Sequence, residues 1–468
     1  MSSAVPASNP WLALTGVAIA SFLGCIDFTI VNTALPALSQ ELHIDLQQSQ
    51  WLITAFVMAL SAFMVSAGRL ADLFGRRRLM LLAMLLFGVA SLAAGLSHSL
   101  AALVFWRVLQ GLSCAVLYTA STAIVGDAFD ESRRGRAIGL LFSANGLGLA
   151  IGPVAGGLLV ATLGWRWVFL LNVPLIAIGL LLCWQHVRES APADTGQRLD
   201  LPGLALLSLT LPLWVLLLVH GGTWGWSSPV VLALSALALA ALVLLVWVEQ
   251  RVTAPLLRFD FLARPAFTGA CLATGGLAFF YCPAFLLMPL YLAEVRGLDS
   301  ASVGLLLLPT TAVLALLSPW AGRWADRRGT RPVLLAGFVL LAASALLQAG
   351  FVADSSWPLV ITAFALMGAG WACILGPSTV AAIASVPAQD AGVAMGMSWT
   401  LHNLAGAVGL ALTAALFQRA GGGLLAGYHG TMVLLAAVSA VLVLALGVLL
   451  GRTPAPARGD PAQPADAS

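Results

Sequence analysis

Lysine is absent from this chain of 468 residues, and charged residues of any kind are scarce. All 22 basic residues are arginine, which excludes a Walker A loop because that loop holds phosphate with a lysine. Only 9% of the residues are charged and 60% are hydrophobic, against about 25% charged in soluble domains. The six cysteines lie in apolar runs without a C-x-x-C pair, as expected of small buried side chains. The composition therefore predicts an all-α polytopic membrane protein that is not an ATP-driven pump and uses no metal or other cofactor.

The apolar residues form fourteen runs of the length that a spanning helix needs, about 20 residues. Arginine placement then predicts the orientation, because short cytoplasmic loops are rich in basic residues. With the N-terminus in the cytoplasm, 18 arginines fall on the cytoplasmic side and 3 outside, so both termini are predicted to be cytoplasmic. Met1–Pro10 carries no basic residue and does not resemble a signal peptide. The predicted spans are 11–34, 50–68, 79–97, 101–125, 136–161, 166–185, 201–219, 229–248, 266–290, 302–322, 332–351, 357–380, 392–416 and 431–450.

A charged segment with the pattern G-R-x-A-D occurs twice, at Gly68–Arg78 and, 254 positions later, at Gly322–Pro332. A duplicated segment of this kind predicts two parallel repeats, each with the charged loop after its second span. The offset exceeds what six spans need, and the surplus fits one inserted helical hairpin. The predicted organisation is a cytoplasmic tail (1–10), an N-terminal six-helix bundle (11–187), a cytoplasmic linker (188–200), the inserted hairpin (201–248), a second cytoplasmic linker (249–265), a C-terminal six-helix bundle (266–451) and a disordered cytoplasmic tail (452–468).

Three ionisable residues lie well inside predicted spans: Asp27, Arg107 and His402. Such residues are costly in a membrane and mark candidate functional sites. At about 1.5 Å per residue, Asp27 and Arg107 lie roughly 13 Å and 9 Å from the outer ends of their helices, so they can pair. One interpretation is a static pair that joins two helices. The other is a proton-binding acid that Arg107 modulates.

The fifth span contains Gly148, Gly152, Pro153 and Gly156 within the glycine-rich segment Gly146–Gly157. This spacing predicts a smooth face for close helix contact, and the proline permits a bend. The pattern fits a fixed packing face and equally a face that rocks between two states. In the charged segment, Gly68 predicts close helix contact and Asp72 a cap for a helix N-terminus. Loop charge alone explains Arg76–Arg78 but not the repeated G-R-x-A-D.

Several polar and aromatic residues of the spans are candidates to line a central cavity, although for any one of them ordinary packing is the favoured interpretation. His402 titrates near neutral pH when unperturbed, and we expect it to influence substrate choice. The candidates are Asn32, Tyr118, Asn145, Phe280, Tyr281, Trp371, Trp399, His402 and Asn403.

Together these motifs resemble the major facilitator superfamily, and within it the fourteen-span drug:proton antiporters of the EmrB/QacA type. The resemblance covers about residues 11–450 and rests on five segments in order. It implies the major facilitator fold of two six-helix bundles, here with the extra hairpin. The five segments are Asp27–Pro36, Gly68–Arg78, Arg107–Gly111, Gly146–Gly157 and the degenerate copy at Gly322–Arg331.

The resemblance also implies roles for single residues. Asp27 would bind the proton, and Arg107 would assist its transfer. A conformational switch would involve Gly68, Arg69, Asp72, Arg76 and Asp127, with Gly322 and Asp326 in the second copy. The chain departs from the family where Arg-Gln is common, because it has His402-Asn403 there. The helix of Trp371 carries no acid, which disfavours dications as substrates.

The leading hypothesis is a proton-driven exporter of amphipathic small molecules in a bacterial inner membrane, working as a monomer without nucleic acid. A periplasmic adaptor remains an open partner. The alternatives are an exporter of one dedicated metabolite, an importer, or a membrane-embedded enzyme or sensor. The glycine-rich fifth span disfavours import through the family resemblance alone, and no cluster of catalytic side chains favours an enzyme.

Overall fold

The computed structural model describes residues 9–44, 46–49, 51–189, 200–252, 257–298, 300–387, 390–419 and 423–450. Within these ranges the chain is all-helical, without a strand. The predicted terminal tails and most of the first linker lie outside the described residues. The long helices are α1 (Pro10–Leu42), α2 (Trp51–Phe74), α3 (Arg76–Gly95), α4 (Leu100–Ala128), α5 (Glu131–Leu163), α6 (Asn172–His186), α7 (Leu201–Trp224), α8 (Pro229–Glu249), α9 (Pro265–Leu290), α10 (Ser300–Arg328), α11 (Thr330–Ala349), α12 (Trp357–Ala384), α13 (Ala391–Arg419) and α14 (Leu424–Leu449).

Short segments complete the helical path. Three are single helical turns and the fourth is a wider π-helical turn that continues α9. They are Leu46–Ser49, Trp167–Leu170, Phe259–Leu262 and Tyr291–Val295.

Several helices run further than the predicted spans. The charged segment after the second span is not a loop, because α2 continues to Phe74 and α3 begins at Arg76. Only Gly75, at φ 97°, interrupts the helix, and Gly329 at φ 81° does the same between α10 and α11. Glycine suits these positions since other residues rarely adopt positive φ. His220, which lies just beyond the predicted span 201–219, is within α7. Hydropathy marks where a helix meets lipid, whereas backbone hydrogen bonding continues until a residue interrupts it.

Twelve helices in the described part of the chain are long and apolar enough to cross a membrane, whereas the sequence predicts fourteen spans. The two long helices outside this set are α5 and α7. The described apolar part of α7, Pro202–Trp214, is shorter than a span. Many large apolar side chains, such as Leu316 and Leu444, point outward, as expected where lipid replaces water.

The two sets of six helices pack as related bundles. In the first, α5 and α4 pack on α1, and α4 also packs on α2 and α3. In the second, α13, α12 and α14 pack on α9, and α11 lies between α12 and α14. The bundles meet mainly through α2 against α13 and α5 against α10. These two pairs are equivalent under the sequence repeat, since each joins the second helix of one set to the fifth of the other.

The helices α7 and α8 pack on each other, and α7 also packs on α2 and α13. Leu207 and Leu211 of α7 form a small apolar cluster with Val65 of α2. Asp200 caps α7 by accepting a hydrogen bond from the Gly203 backbone N–H at 2.9 Å. The helix α7 therefore covers the junction of the two bundles, and α8 packs against α7.

Candidate proton-coupling and transport site

Asp27 of α1 and Arg107 of α4 form an ion pair in the interior of the first bundle. Both side chains are 0% exposed. The Arg107 Nε donates to the Leu52 carbonyl at 2.9 Å, and its guanidinium lies 4.1 Å from the centre of the Phe56 ring. A charge buried this deeply needs a partner, because desolvation of an isolated ion costs several kcal/mol or more. The pair expected from the sequence is thus present, and α2 supports the arginine.

Two amides complete the surroundings of Asp27. Its Oδ1 accepts a hydrogen bond from Asn172 Nδ2 at 3.0 Å and a longer one from Gln110 Nε2 at 3.4 Å. Gln110 also donates to Ser91 Oγ at 2.8 Å and accepts from Arg107 Nη1 at 3.0 Å. The sequence analysis missed Asn172 and Ser91, and it assigned no role to Gln110. The available signals were a lone amide in an apolar run for Asn172 and the i, i+3 spacing from Arg107 for Gln110.

A second cluster lies where α2, α3 and α4 meet, at the end of the bundles that carries Arg69, Arg76–Arg78 and Arg323–Arg331, which we call the arginine-rich end. Arg76 bridges two acids, with its Nη2 2.9 Å from Asp72 Oδ1 and its Nη1 2.6 Å from Asp127 Oδ2. Arg69 is buried beside this cluster. The resemblance implied a cluster of Asp72, Arg69 and Asp127, and the structure shows that Arg76 links its acids.

Asp72 also reaches the other bundle. Its Oδ2 accepts a hydrogen bond from the Val393 backbone N–H at 3.1 Å, in the first turn of α13. Next to this bond, a Cβ on Gly68 would lie 2.0 Å from the Gly392 carbonyl oxygen. The two backbones are therefore in direct contact, and the acid sits at the positive end of a helix.

The second G-R-x-A-D copy makes the equivalent contact from the second bundle to the first. Asp326 of α10 accepts hydrogen bonds from the backbone N–H groups of Gly135 and Arg136, at 2.9 Å and 3.1 Å. A Cβ on Gly322 would lie 2.1 Å from the Gly135 carbonyl oxygen. Each aspartate thus accepts from the early turns of the fifth helix of the opposite repeat. Both bundle interfaces are closed at the arginine-rich end.

The glycine face of α5 packs on α1. Added Cβ atoms at Gly152 and Gly156 would lie 1.9 Å and 2.1 Å from the Oγ1 atoms of Thr29 and Thr33. A Cβ added to Gly148 would likewise lie 2.7 Å from the Phe22 carbonyl oxygen of α1. Close helix contact, expected from the spacing, is therefore present. Pro153 lies within the continuous α5 helix, and its side chain is outside the described part of the structure.

Five aromatic side chains from both bundles form a continuous series. Tyr118 of α4 stacks on Trp399 of α13 at 5.8 Å, and Trp399 contacts His402 at 4.8 Å. His402 contacts Tyr281 of α9, which stacks on Trp371 of α12 at 4.3 Å. The indole Nε1 atoms of Trp371 and Trp399 are buried without a hydrogen-bond partner. Buried polar groups are normally satisfied, so these donors are available to a ligand or to water.

Hydrogen bonds define the orientation of the His402 ring. Its Nδ1 lies 2.9 Å from the Thr274 carbonyl, which can only accept, so Nδ1 carries a hydrogen. In the neutral ring Nε2 is then an acceptor, and the Tyr281 hydroxyl lies 3.3 Å from it. Asn403 donates to Met64 Sδ of α2 at 3.3 Å and so contacts the opposite bundle.

The remaining cavity candidates differ in position. Asn145 is buried in α5 with an unpaired Oδ1. Asn32 is exposed and donates to the Phe28 carbonyl one turn earlier at 3.2 Å. Phe280 is buried in the hydrophobic core. Of these three residues, Asn145 is the buried one with a polar side-chain atom that lacks a partner.

A surface ion pair joins the second linker to α13. Arg258 donates to Asp260 at 2.9 Å and 3.0 Å, and its Nη1 lies 3.8 Å from Asp390 Oδ2. The hydrogen bonds from Arg258 hold the pKa of Asp260 below its usual value. Among the described residues no group of three His, Cys, Asp or Glu side chains is arranged to hold a metal ion.

Two related six-helix bundles, the first with an ion pair buried inside it, are typical of a membrane transporter built from repeats. The chain belongs to the Major Facilitator Superfamily, whose family model matches residues 17–314 and 270–467. It is therefore a multi-pass membrane protein. A similar solved structure is the human organic anion transporter MFSD10 (TETRAN), with a TM-score of 0.68 and 18% identity over 94% of this chain and 100% of that one.

Several curated relatives are bacterial proteins. The chain is 34% identical to Multidrug resistance protein Stp of Mycobacterium tuberculosis over 86% of this chain and 74% of that protein. It is 32% identical to the Tetracenomycin C resistance and export protein of Streptomyces glaucescens, over 87% and 76% of the two chains. It is 29% identical to Multidrug export protein EmrB of Escherichia coli, over 86% and 79%.

Proposed function

We propose that this protein exports amphipathic small molecules across the bacterial inner membrane in exchange for protons. The observation that carries the proposal is the fully buried Asp27–Arg107 pair. An acid without access to water can change its protonation state only when the surrounding helices move. Proton movement is then linked to the motion of α1 and α4. The relatives named for multidrug resistance and export support the direction and the substrate class.

The proposed topology has fourteen spans, with α5 and α7 crossing the membrane in addition to the twelve apolar helices. Residues 11–187 and 266–451 form the two transporting bundles, and 201–248 is an inserted hairpin. The arginine-rich end lies in the cytoplasm, which agrees with the excess of basic residues there. Both termini are then cytoplasmic.

In this orientation the structure corresponds to a state that is closed toward the cytoplasm. The hydrogen bonds from Val393 to Asp72 and from Gly135 to Asp326 stabilise that state. Gly68, Arg69, Arg76, Asp127 and Gly322 act with these residues as the switch. The α5 glycine face allows α1 and α5 to shift against each other.

The transport cycle follows from the charges. Protonation of Asp27 from the outside neutralises the acid and removes the ion pair with Arg107. Substrate leaves to the outside in the same step. The bundles then reorient, Asp27 releases its proton to the cytoplasm, and a new substrate enters. Substrate binds between the bundles beside the aromatic series, where Trp371 and Trp399 offer unpaired donors.

The test is Asp27→Asn, measured as dye efflux from energised cells across a panel that includes ethidium and rhodamine 6G. Efflux by the wild type should stop when an uncoupler removes the proton gradient, and Asp27→Asn should show no uncoupler-sensitive efflux. The matched control is Asp260→Asn, an exposed acid outside the helical bundles, which should behave as the wild type. Uncoupler-sensitive efflux by Asp27→Asn at the wild-type rate would disprove the assignment.

A second candidate function is export of one dedicated metabolite. The observation that favours it is the similarity to a relative named for tetracenomycin C resistance and export. The dye panel separates the two functions, because a dedicated exporter should transport none of the dyes. Genes adjacent to this one would then indicate the product.

A further inference from the structure

Asn172, at the first position of α6, has one satisfied and one unsatisfied polar atom next to Asp27. Its side chain is 1% exposed. Its Nδ2 donates to Asp27 Oδ1 at 3.0 Å, while its Oδ1 is buried with no hydrogen-bond partner. A buried unpaired oxygen is unfavourable and requires an explanation. None of the contacts of the ionised acid supplies one.

The protonated acid supplies the explanation. A carboxylate only accepts hydrogen bonds, whereas a carboxylic acid must also donate one. Arg107 can only donate, and Gln110 Oε1 already accepts from Arg107 at 3.0 Å. The Leu52 carbonyl likewise accepts from Arg107 Nε at 2.9 Å. Of these three acceptors, Asn172 Oδ1 is the one that accepts no hydrogen bond at all, so it has the most to gain from an acid proton.

A half-turn of the Asn172 amide about its Cβ–Cγ bond exchanges Nδ2 and Oδ1. In one orientation the amide donates to the carboxylate, and in the other it accepts from the carboxylic acid. The amide neither gains nor loses a proton in this exchange. The proton resides on a carboxylate oxygen of Asp27 until it leaves to the opposite side.

We propose that Asn172 is a positioning residue that follows the protonation state of Asp27 and holds the neutral acid when Arg107 no longer pairs with it. This inference rests on the proposed proton-coupled function. Asn172 joins α1 to α6 in both protonation states of Asp27. Protonation therefore releases Arg107 on α4 and leaves the α1–α6 contact intact. In the described structure, the other titratable groups that interact with Asp27 are Cys114 and Tyr118, both on α4. Tyr118 in turn bonds Cys25 of α1 at 3.5 Å.

The proposal predicts the sign of a pH shift. Without Asn172 the carboxylate keeps Arg107 and Gln110 as donors, whereas the acid loses its acceptor. The acid form is then the more destabilised, and protonation of Asp27 should require a lower pH. If Asn172 served only as a donor to the carboxylate, its removal would move protonation to a higher pH. If Asn172 had only a structural role, its removal would leave the pH at which Asp27 is protonated unchanged.

The experiment measures the reaction of Asp27 with a hydrophobic carbodiimide, which modifies buried carboxyl groups in their protonated form. The purified full-length protein is labelled with fluorescent carbodiimide over a range of pH, and Asp27→Asn defines the background. Asn172→Leu, which is near-isosteric and apolar, should lower the pH of half-maximal labelling by about one unit, a tenfold change in proton affinity. Asn172→Thr should stay near the wild type, because its hydroxyl both donates and accepts.

Two variants complete the design. Asn172→Ala replaces Asn172→Leu if the leucine variant does not fold. Gln348→Leu removes a buried amide of the other bundle, bonded to Tyr428 and Ser344, and should not change the labelling profile. A midpoint for Asn172→Leu or Asn172→Ala that rises or stays unchanged overturns the inference. Since the titration needs no substrate, it decides this point even if the dye efflux of the wild type proves insensitive to an uncoupler.

Discussion

Gly68→Ala tests whether the backbone contact between α2 and α13 stabilises the state closed at the arginine-rich end. The added Cβ would lie 2.0 Å from the Gly392 carbonyl oxygen, about 1.4 Å inside the 3.4 Å of ordinary contact. The helices must separate by roughly that distance, which would stretch the 3.1 Å bond from Val393 to Asp72 beyond hydrogen-bonding range. Overpacking of this kind costs about 1–3 kcal/mol. A charge-assisted hydrogen bond contributes about 1.5–3 kcal/mol.

In the proposed cycle both contacts exist only in the closed state, so the variant should shift the population toward the state open at this end. At 1.4 kcal/mol per factor of ten, a cost of about 2 kcal/mol corresponds to roughly a 30-fold shift. The reporter is Ala394→Cys, a fully buried position of α13, in a cysteine-free background. Labelling by a membrane-impermeant maleimide in inside-out vesicles should accelerate in proportion to the open population.

The matched control is Gly430→Ala in α14, where an added Cβ meets nothing within 4 Å. It should label at the background rate. Gly392→Ala should resemble Gly68→Ala, because its Cβ would lie 2.5 Å from the Gly68 carbonyl oxygen. Thermal stability in detergent separates a shifted equilibrium from a damaged fold. Equal labelling rates for Gly68→Ala and Gly430→Ala, in proteins of equal stability, would refute the reasoning.

Three further predictions concern other parts of the protein. Asp72→Asn should reduce transport in liposomes more than equilibrium binding of substrate in detergent; equal losses would assign Asp72 to the fold alone. Single cysteines along 201–219 and 229–248 should react with lipid-phase reagents without protection by substrate, and protection along one face of either helix would place the hairpin in the pathway. His402→Gln, which keeps a polar group but cannot titrate, should change the substrate profile and leave the pH dependence of efflux as it is. The reverse result would make His402 the coupling residue.

Much of the Asp27 site could be anticipated from single residues. A lone acid and a lone arginine at similar depths in an apolar chain have few ways to avoid the cost of burial, so their pairing followed from charge and helix rise. Asn172 could not be anticipated in the same way. An amide in a span has many possible partners, and burying it costs less free energy than burying a charge. Its position near Asp27 depends on how α6 packs on α1.

The glycine motifs also show that the sequence predicts a contact face whereas helix packing decides its partner. The spacing of Gly148, Gly152 and Gly156 predicted a close helix contact, and the structure identifies α1 as the contacting helix. Gly135, a residue outside that motif, meets Gly322 and Asp326 of the other bundle. Spacing along one helix defines a face, but the partner of that face is set by side chains far away in the sequence.

The sequence by itself determined that lipid surrounds the protein, that the fold is all-helical and that two halves are related. These properties depend on composition and on local patterns. The scarcity of charge requires lipid around the helices, and the two G-R-x-A-D copies require two related halves. It also singled out Asp27, Arg107 and His402 inside the spans, and the structure buries all three. Only the tertiary structure decided that Asp72 and Asp326 each bind the fifth helix of the opposite repeat, that α7 covers the junction of α2 and α13, and that Asn172 shares Asp27 with Arg107. These contacts join residues separated by up to 321 positions, and such distant pairs are selected by the packing of whole helices rather than by local sequence.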